Sequence, residues 1–397
     1  MRSEFVAFAI LSAIAPVRLL CGADVQAASG YNFSEVRKLL KDSVENRKVA
    51  GCSLLLIHRD KVIFEEAYGF SNVETKKPFA AETLVHLASS SKWISASAMM
   101  LLVDDGKLSL DDPIGKYLPQ FRDMLVKGTS TKANPTFRQC FSHTAGFPGQ
   151  AAALGDPQIT LEESVHQIGA EVHQLLAPPG AEFRYGGVSF QIAAAAIEKI
   201  TGKQFEDFLR ERLFRPLGMK ETTFNPTGDL RERAGPVYAP EPDGTFRIVL
   251  PAPSGNNRNS RVAGGLYSTL DNYSRFLRMQ LAGGEYEGKR ILSRPSAMAM
   301  RTDQTRGAKV APGSFTTALP NEPTRYGFGT WLNKTDGQGV GISVSDGGAY
   351  GTRPWIDYDR ELIGVFFTQT PLRNVYRLAE IEVPNAARAA IDTGKNR

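Results

Sequence analysis

Three consecutive serines precede a lysine in the segment Ser89-Ser90-Ser91-Lys92. A serine hydroxyl is a weak nucleophile near neutral pH, so a serine that attacks a carbonyl carbon needs a base held against it. Residues three positions apart on a helix lie on the same face, with their Cβ atoms about 5–6 Å apart. Only Ser89 stands three positions before Lys92, which makes Ser89 the candidate nucleophile and Lys92 its candidate base.

The residues that follow this motif decide how much weight it carries. A Ser-x-x-Lys match is weak alone, because a chain of this length contains about one by chance. A serine-rich helix start followed by a lysine lying along an apolar surface is the alternative reading. However, the segment 93–102 is apolar nearly all round, as in a buried helix. Burial would desolvate Lys92 and lower its pKa toward the range in which it accepts a proton.

The elements that must position this motif follow from hydrophobic periodicity. A first amphipathic helix is predicted over 34–48, and a helix capped by Thr160 and Glu163 repeats Val165, Ile168, Val172 and Leu175 down one face. A further helix is predicted from Val188 to Ile200. Strands are predicted at Cys52–His58, Lys61–Tyr68, Gly341–Ser345, Arg353–Asp357 and Leu362–Thr368. The chain is therefore expected to be an α/β (α+β) protein, with a sheet from about 50–70 and 340–370 and a helical insertion over about 86–235.

Composition excludes several classes of function. The 397 residues include 47 basic and 42 acidic side chains, a net charge of +5, and no window collects Lys and Arg densely, so nucleic acid is not an expected partner. His166 and His173 are seven residues apart without a His-Glu-x-x-His pattern, so no metal is expected. No nucleotide-binding or dinucleotide-binding motif and no Gly-x-Ser-x-Gly elbow occurs, and no cofactor is expected.

The first 27 residues have the pattern of a signal peptide. Arg2 is followed by an apolar run from Phe5 to Val17 and by small residues in Val25-Gln26-Ala27. The run is shorter than the roughly 20 residues of a membrane-spanning helix, so no stable membrane anchor is expected. We therefore predict a secreted or periplasmic protein with a mature domain over 28–397. Whether Cys52 and Cys140 pair is left open.

The chain resembles the serine β-lactamase-related family, which includes class C β-lactamases, D-Ala-D-Ala carboxypeptidases, D-aminopeptidases and β-lactamase-like esterases. Several segments match the family's motifs in the expected order: Leu87-Ala88-Ser89-Ser90-Ser91-Lys92, 104–113, Phe141-Ser142-His143-Thr144-Ala145-Gly146, 179–185, Gly264-Gly265-Leu266-Tyr267-Ser268-Thr269 and Tyr326-Gly327-Phe328-Gly329. The resemblance implies the β-lactamase/DD-peptidase-like fold, an antiparallel sheet flanked by helices with a helical subdomain and the active site in the cleft between them. In that family His143 belongs to a structural motif.

The same resemblance assigns further site residues. Tyr185 corresponds to the tyrosine of the family's Tyr-x-Asn motif and would share proton transfer with Lys92, whose ammonium would favour the phenolate. Gly187 stands where the family has asparagine. The third motif corresponds to Asp346, Gly347 and Gly348, whose glycines would let substrate approach the backbone. The N–H groups of Ser89 and Ala349 would form the oxyanion hole.

These assignments lead to a hypothesis about the substrate, a small-molecule ester or amide. We predict hydrolysis of a carboxylic ester, or an amide, through an acyl-enzyme on Ser89. The alternatives are a D-Ala-D-Ala carboxypeptidase, D-aminopeptidase or β-lactamase, an acyltransferase, and a non-catalytic binding protein with the same fold. An ionised Asp346 about 5 Å from a substrate carboxylate would cost roughly 3 kcal/mol, so uncharged esters are expected to be preferred about a hundredfold over cephalosporins. Specificity is expected to lie in the loops 236–260 and 303–325, and the oligomeric state is left open.

Overall fold

The computed structural model describes residues 30–318 and 322–394. The predicted signal peptide, residues 1–27, lies outside this described part. Within it, no helix combines the length and the apolar character needed to cross a membrane.

The central element is a seven-stranded sheet in which every neighbouring pair of strands is antiparallel. The predicted antiparallel α+β architecture is therefore confirmed. A hairpin joins the two long N-terminal strands through Arg59 and Asp60, which both adopt positive φ angles. In sheet order, the strands are Trp331–Thr335, Gly341–Ser345, Arg353–Asp357, Leu362–Thr368, Gly51–His58, Lys61–Asn72 and Lys77–Pro78.

Helices cover both faces of this sheet. The strand Gly51–His58 is buried along its whole length, and its side chains alternate between two hydrophobic clusters. Leu54 and Leu56 pack with the terminal helices Ser34–Glu45 and Val383–Gly394, whereas Leu55 and Ile57 face the larger cluster that contains the motif-bearing helix. This two-sided burial explains why the strand reads as a continuous apolar run.

The helical region between the two groups of strands carries the motif. Thr160 and Glu163 form the predicted capping box. That helix ends at Glu171, because Gln174–Leu175 leaves it to pair as a parallel strand with Met124–Val126; the prediction that Val172 and Leu175 continue the helix was wrong. The helix just described spans Leu161–Glu171. The other α-helices of the described chain that have not yet been given are Ser91–Asp104, Phe137–Phe141, Val188–Thr201, Phe205–Leu209 continuing through 210–214 to Arg215–Leu217, Gly228–Arg233, Leu270–Leu281, Arg294–Met300 and Leu372–Arg377 continuing through 378–382.

The segment 236–260 contains more structure than the surface excursion that its prolines and glycines predict. Val237–Pro240 and Phe246–Leu250 form an antiparallel hairpin. The other short strands are Val85–His86, Lys132–Ala133, Glu182–Phe183, Tyr267–Ser268, Glu285–Tyr286, Lys289–Arg290 and Lys309–Val310.

Candidate active site

Ser89 lies in a turn beside a cavity that it helps to line. The turn is the 3₁₀ segment Ala88–Ser90, directly before the helix Ser91–Asp104. Ala88 has φ of +47°, in the left-handed region that costs a non-glycine residue roughly 1–2 kcal/mol. Its N–H donates to Nδ1 of His86 at 3.2 Å, which helps to hold this conformation. Ser90 and Ser91 are fully buried, whereas Ser89 retains partial exposure.

Lys92 is the base nearest to Ser89. Its Nζ lies 3.1 Å from Ser89 Oγ and donates to the carbonyl oxygen of Ala263 at 2.8 Å. Burial lowers the pKa of Lys92 to about 7, with Asp346 opposing and Arg261 reinforcing this shift. A neutral amine can keep its donation to Ala263 and direct its lone pair at the Ser89 hydroxyl. The structure thus brings the predicted nucleophile and base together.

Tyr185 completes the group from the opposite wall. Its ring stacks on Trp331 at 5.2 Å between centroids and lies 4.7 Å from Lys92 Nζ. Burial raises the pKa of Tyr185 well above its usual range, and Asp346 adds to this effect, although hydrogen bonding with Ser89 opposes it. This direction is opposite to the expected stabilisation of the phenolate by Lys92, because desolvation is the largest cause of the shift and the charges of Asp346 and Glu380 act in the same direction. Tyr185 is therefore a phenol that can donate a proton.

Ser89 and Ala349, whose N–H groups the family pattern assigns to the oxyanion hole, line the same space. The cavity has a volume of about 100 Å³, and Lys92 and Tyr185 also line it. Within the described part of the chain, neither amide has a hydrogen-bond acceptor. Two unpaired donors beside a nucleophile are the arrangement that stabilises an oxyanion.

Asp346 occupies a different place from the one predicted for a substrate-binding residue. It is fully buried and is not among the described residues that line the cavity. One carboxylate oxygen accepts the N–H of Trp93 at 3.2 Å. Burial raises the pKa of Asp346 well above its usual range, opposed by Lys92, Trp93 and Arg353. Arg353 forms a buried ion pair with Glu380, and both residues act electrostatically on Asp346, so Asp346 belongs to a buried cluster of ionisable residues next to the site.

Gly347 and Gly348 also lie behind the cavity wall rather than in it. A Cβ atom at Gly348 would collide with the carbonyl oxygen of Leu87 and with Thr352 Oγ1, and one at Gly347 would meet Glu380. The glycines thus permit close approach of the nucleophile turn and the buried charged cluster. The structure does not place them against substrate, as the sequence analysis expected.

Gly187 does line the cavity, but the space beside it is filled. A Cβ atom at this position would lie 3.2 Å from Leu154 Cδ1 and 3.6 Å from Ala263 Cβ. Leu154 is itself buried. The side-chain amide that the family pattern places here is therefore replaced by an apolar contact.

His143 lies below Tyr185 in an aromatic cluster. Its ring centroid is 4.6 Å from that of Tyr185 and 5.0 Å from that of Tyr326. Burial lowers the pKa of His143 well below its usual range, and neither ring nitrogen has a hydrogen-bond partner within the described residues. This environment fits a neutral ring that supports Tyr185.

Sequence reasoning missed several residues of the cavity wall, of which three carry a polar or ionisable side chain next to recognised motifs. His86, Arg261 and Tyr350 each line it. Arg261 stands three positions before the recognised segment that starts at Gly264, and Tyr350 follows Ala349. Their closeness to recognised motifs is the sequence signal that could have identified these two residues. Burial lowers the pKa of His86 to about 3, and the ring is neutral.

Neither cysteine contributes to the site. Cys52 and Cys140 are free and buried, and burial raises the thiol pKa of Cys52 to about 12. Across residues 30–318 and 322–394, no group of three or more His, Cys, Asp or Glu side chains is arranged to hold a metal ion.

Comparison with known proteins identifies relatives along most of the chain. The family model described as Beta-lactamase matches residues 36–387. An uncharacterized protein of Mycobacterium tuberculosis is 27% identical over 318 residues, which are 75% of each chain. The octameric penicillin-binding protein homologue from Pyrococcus abyssi superimposes with a TM-score of 0.70 at 22% identity, over 90% of this chain and 80% of that one. EstCE1, a hydrolase with promiscuous acyltransferase activity, gives a TM-score of 0.69 at 23% identity, over 89% of this chain and 97% of its own.

Proposed function

Because the chain belongs to the Beta-lactamase family of serine hydrolases, we propose that it hydrolyses a carboxylic ester, or an amide, through an acyl-enzyme on Ser89. The observation that carries this proposal is the 3.1 Å contact between Lys92 Nζ and Ser89 Oγ, at a cavity that both residues line together with Ala349 and Tyr185. A binding protein that merely kept the fold would not need a buried lysine against a serine hydroxyl.

Acylation follows from the positions of these groups. Neutral Lys92 removes the Ser89 proton as Oγ attacks the carbonyl carbon, and the N–H groups of Ser89 and Ala349 stabilise the resulting oxyanion. Tyr185 donates its phenolic proton to the leaving group as the carbonyl bond to that group breaks. Lys92 then returns the proton to Tyr185, so that both groups end neutral. The net result is transfer of the Ser89 proton to the leaving group.

Deacylation reverses these roles with water as the nucleophile. Lys92 accepts a proton from the attacking water and donates it to Ser89 Oγ as the bond between Oγ and the acyl carbon breaks, which restores the neutral amine and the free serine. An alcohol in place of water would give acyl transfer, and the structurally similar EstCE1 is a hydrolase with promiscuous acyltransferase activity. The proposed function is hydrolysis. Adding an alcohol to the assay and measuring the two products shows how the acyl group partitions between water and the alcohol.

Covalent labelling tests the nucleophile directly. A fluorophosphonate should modify the mature protein once, on the peptide that contains Ser89, and Ser89→Ala should abolish the modification. Ser90→Ala and Ser91→Ala are matched variants, because those hydroxyls instead donate to the carbonyls of Asp346 and Ala88. Both should still be labelled. Undiminished labelling of the Ser89→Ala protein in peptide mass spectra would refute the proposal.

The pKa of Lys92 predicts the pH dependence of acylation. Burial lowers this pKa to about 7, so Lys92 is protonated and inactive as a base below that pH. We expect kcat/KM for a neutral ester to rise about tenfold per pH unit below the midpoint and to level off above it. Arg261→Gln removes a positive charge that lowers the Lys92 pKa, so the midpoint should move upward. A midpoint near the ordinary lysine value of about 10.4 would contradict the assignment.

A further inference from the structure

Asp346 forms two hydrogen bonds with the start of the helix that carries Lys92. Its backbone carbonyl oxygen accepts from Ser90 Oγ at 2.5 Å, and its carboxylate oxygen Oδ2 accepts from the N–H of Trp93 at 3.2 Å. Lys92 lies between these two partners in sequence, and Ser89 directly precedes the first of them. The two bonds therefore tie the turn that carries both the nucleophile and its base to the segment of Asp346.

The bond to Trp93 takes the place of a local helix cap. The first N–H groups of a helix have no partner within it and are usually satisfied by the side chain of the preceding residue. Ser90 stands at that position, but its side chain makes no capping bond and donates to Asp346 instead. Serine and asparagine cap helices about as well as aspartate does. Capping alone therefore does not explain why an ionisable carboxyl group is buried here.

A buried ion pair lies next to Asp346. Arg353 and Glu380 pair with each other through side chains that are each only 7% exposed. Glu380 comes from the π-helical turn Leu378–Glu382, and a Cβ atom at Gly347 would collide with its carboxylate. Single π turns within α-helices occur frequently at functional sites. Three ionisable side chains from separate parts of the chain thus meet next to the catalytic lysine.

The chemistry of acylation gives a carboxylate at this place a use. Lys92 becomes an ammonium when it takes the Ser89 proton, and a buried charge without an opposite charge is costly. Burial lowers the pKa of Lys92, and Asp346 acts against this effect. Burial also raises the pKa of Asp346, and Lys92, the N–H of Trp93 and Arg353 act against that shift. Each of the two groups thus stabilises the charged form of the other.

The remaining ionisable groups that face this pair do not supply negative charge to Lys92 in place of Asp346. Arg261 is basic and lowers the pKa of Lys92. Glu380 is held by Arg353. Burial raises the pKa values of three tyrosines and lowers that of one histidine, so these four rings stay neutral; they are Tyr185, Tyr273, Tyr326 and His143. Within the described part of the chain, Asp346 is therefore the acidic group placed to balance the ammonium.

We propose that Asp346 is a positioning residue of the catalytic site: its hydrogen bonds fix the start of the catalytic helix, and its carboxylate is the counter-charge for the ammonium that forms on Lys92 during acylation. The inference rests on the proposed function, because it concerns the base of the same site. Asp346 does not line the cavity, so it acts through Lys92 rather than on the substrate.

Asp346→Asn tests the counter-charge, because asparagine removes the charge and can still accept the N–H of Trp93. The rate constant for fluorophosphonate modification of Ser89 is measured against pH, together with kcat and KM for a neutral 4-nitrophenyl ester. Without the carboxylate the pKa of Lys92 falls further, so the midpoint of the labelling profile and that of kcat/KM should move down by about one pH unit or more. This direction is opposite to that expected for Arg261→Gln.

The size of the rate is the second readout for Asp346→Asn. The rates on the plateau should fall about tenfold to a hundredfold, because Lys92 becomes a weaker base and its ammonium loses the opposite charge. The fall should appear in kcat with little change in KM, since Asp346 lies outside the cavity wall. A purely structural role would lower the fraction of folded protein without moving the midpoint.

Asp357→Asn is the matched control. Asp357 is also buried, but it ends the strand Arg353–Asp357 and pairs with Arg360 and Arg388. The same substitution there should leave the midpoint unchanged. If Asp346→Asn does not fold, as judged by thermal unfolding, Asp346→Ser provides a smaller neutral side chain for the same test.

Two failures can be told apart in these measurements. A folded, neutral Asp346 variant with the midpoint and the plateau of the unmodified protein would overturn the counter-charge proposal while leaving the proposed function intact. Absence of ester hydrolysis by an unmodified protein that is still labelled at Ser89 would instead count against the proposed function. The labelling profile would then still report on Asp346, because it requires no turnover.

Discussion

Replacing Ser89 with alanine is expected to lower kcat/KM for any ester substrate by about four to six orders of magnitude, because the attacking oxygen is removed. The Lys92→Met variant should lose a similar factor in kcat/KM, since its intact Ser89 hydroxyl would have no adjacent base. The double variant should be no worse than the worse single variant, because groups that act as a unit are strongly non-additive. Initial rates with a neutral 4-nitrophenyl ester measure all three.

Lys92→Arg separates the two roles that a lysine could have here. Arginine keeps a positive charge near Ser89 but stays protonated at every assay pH, so it cannot accept the Ser89 proton. If Lys92 acts as a base, kcat/KM of the Lys92→Arg variant should fall as far as that of the Lys92→Met variant. Substantial activity in Lys92→Arg, with thermal unfolding like that of the unmodified protein, would show that charge alone suffices and would contradict the mechanism.

The sequence predicted those parts of the molecule that depend on local pattern. The helix around Lys92 and the five main strands follow from periodicity, because burial on one or both faces dictates which positions are apolar. The pairing of Ser89 with Lys92 follows from helical spacing alone. The edge strand Trp331–Thr335 was not predicted, although its Trp331 supports Tyr185.

The charge at the site was not predictable in the same way. Asp346 was expected to face substrate, because it replaces a motif residue, yet it turns inward to the N–H of Trp93. Arg261 lies 85 residues before Asp346 in sequence and faces the nucleophile through a turn fixed by Gln191. Side-chain direction at a loop depends on such long-range contacts, which one sequence does not display. The expected preference for uncharged esters loses its basis with the position of Asp346.

Tyr185→Phe provides the second large effect, because it removes the phenolic proton while keeping the ring that stacks on Trp331. Burial keeps this phenol protonated, so its proposed role is to protonate the leaving group. We expect kcat to fall about 10²- to 10³-fold for an alkyl ester, whose alkoxide leaves poorly without a proton. The loss should be clearly smaller for a 4-nitrophenyl ester, whose phenolate leaves unprotonated.

Tyr326→Phe is the matched control for this leaving-group test. Tyr326 is buried in the same aromatic cluster, its ring 6.3 Å from that of Tyr185, and within the described chain its hydroxyl has no hydrogen-bond partner. The Tyr326→Phe variant should therefore have the same ratio of alkyl ester turnover to aryl ester turnover as the unmodified protein. A merely structural role for Tyr185 would lower both activities of Tyr185→Phe by the same factor, and that outcome would remove Tyr185 from proton transfer. A loss with the alkyl ester that occurs only in Tyr185→Phe would instead assign leaving-group protonation to the Tyr185 hydroxyl. Both variants remove a phenolic hydroxyl, and they do so from neighbouring rings.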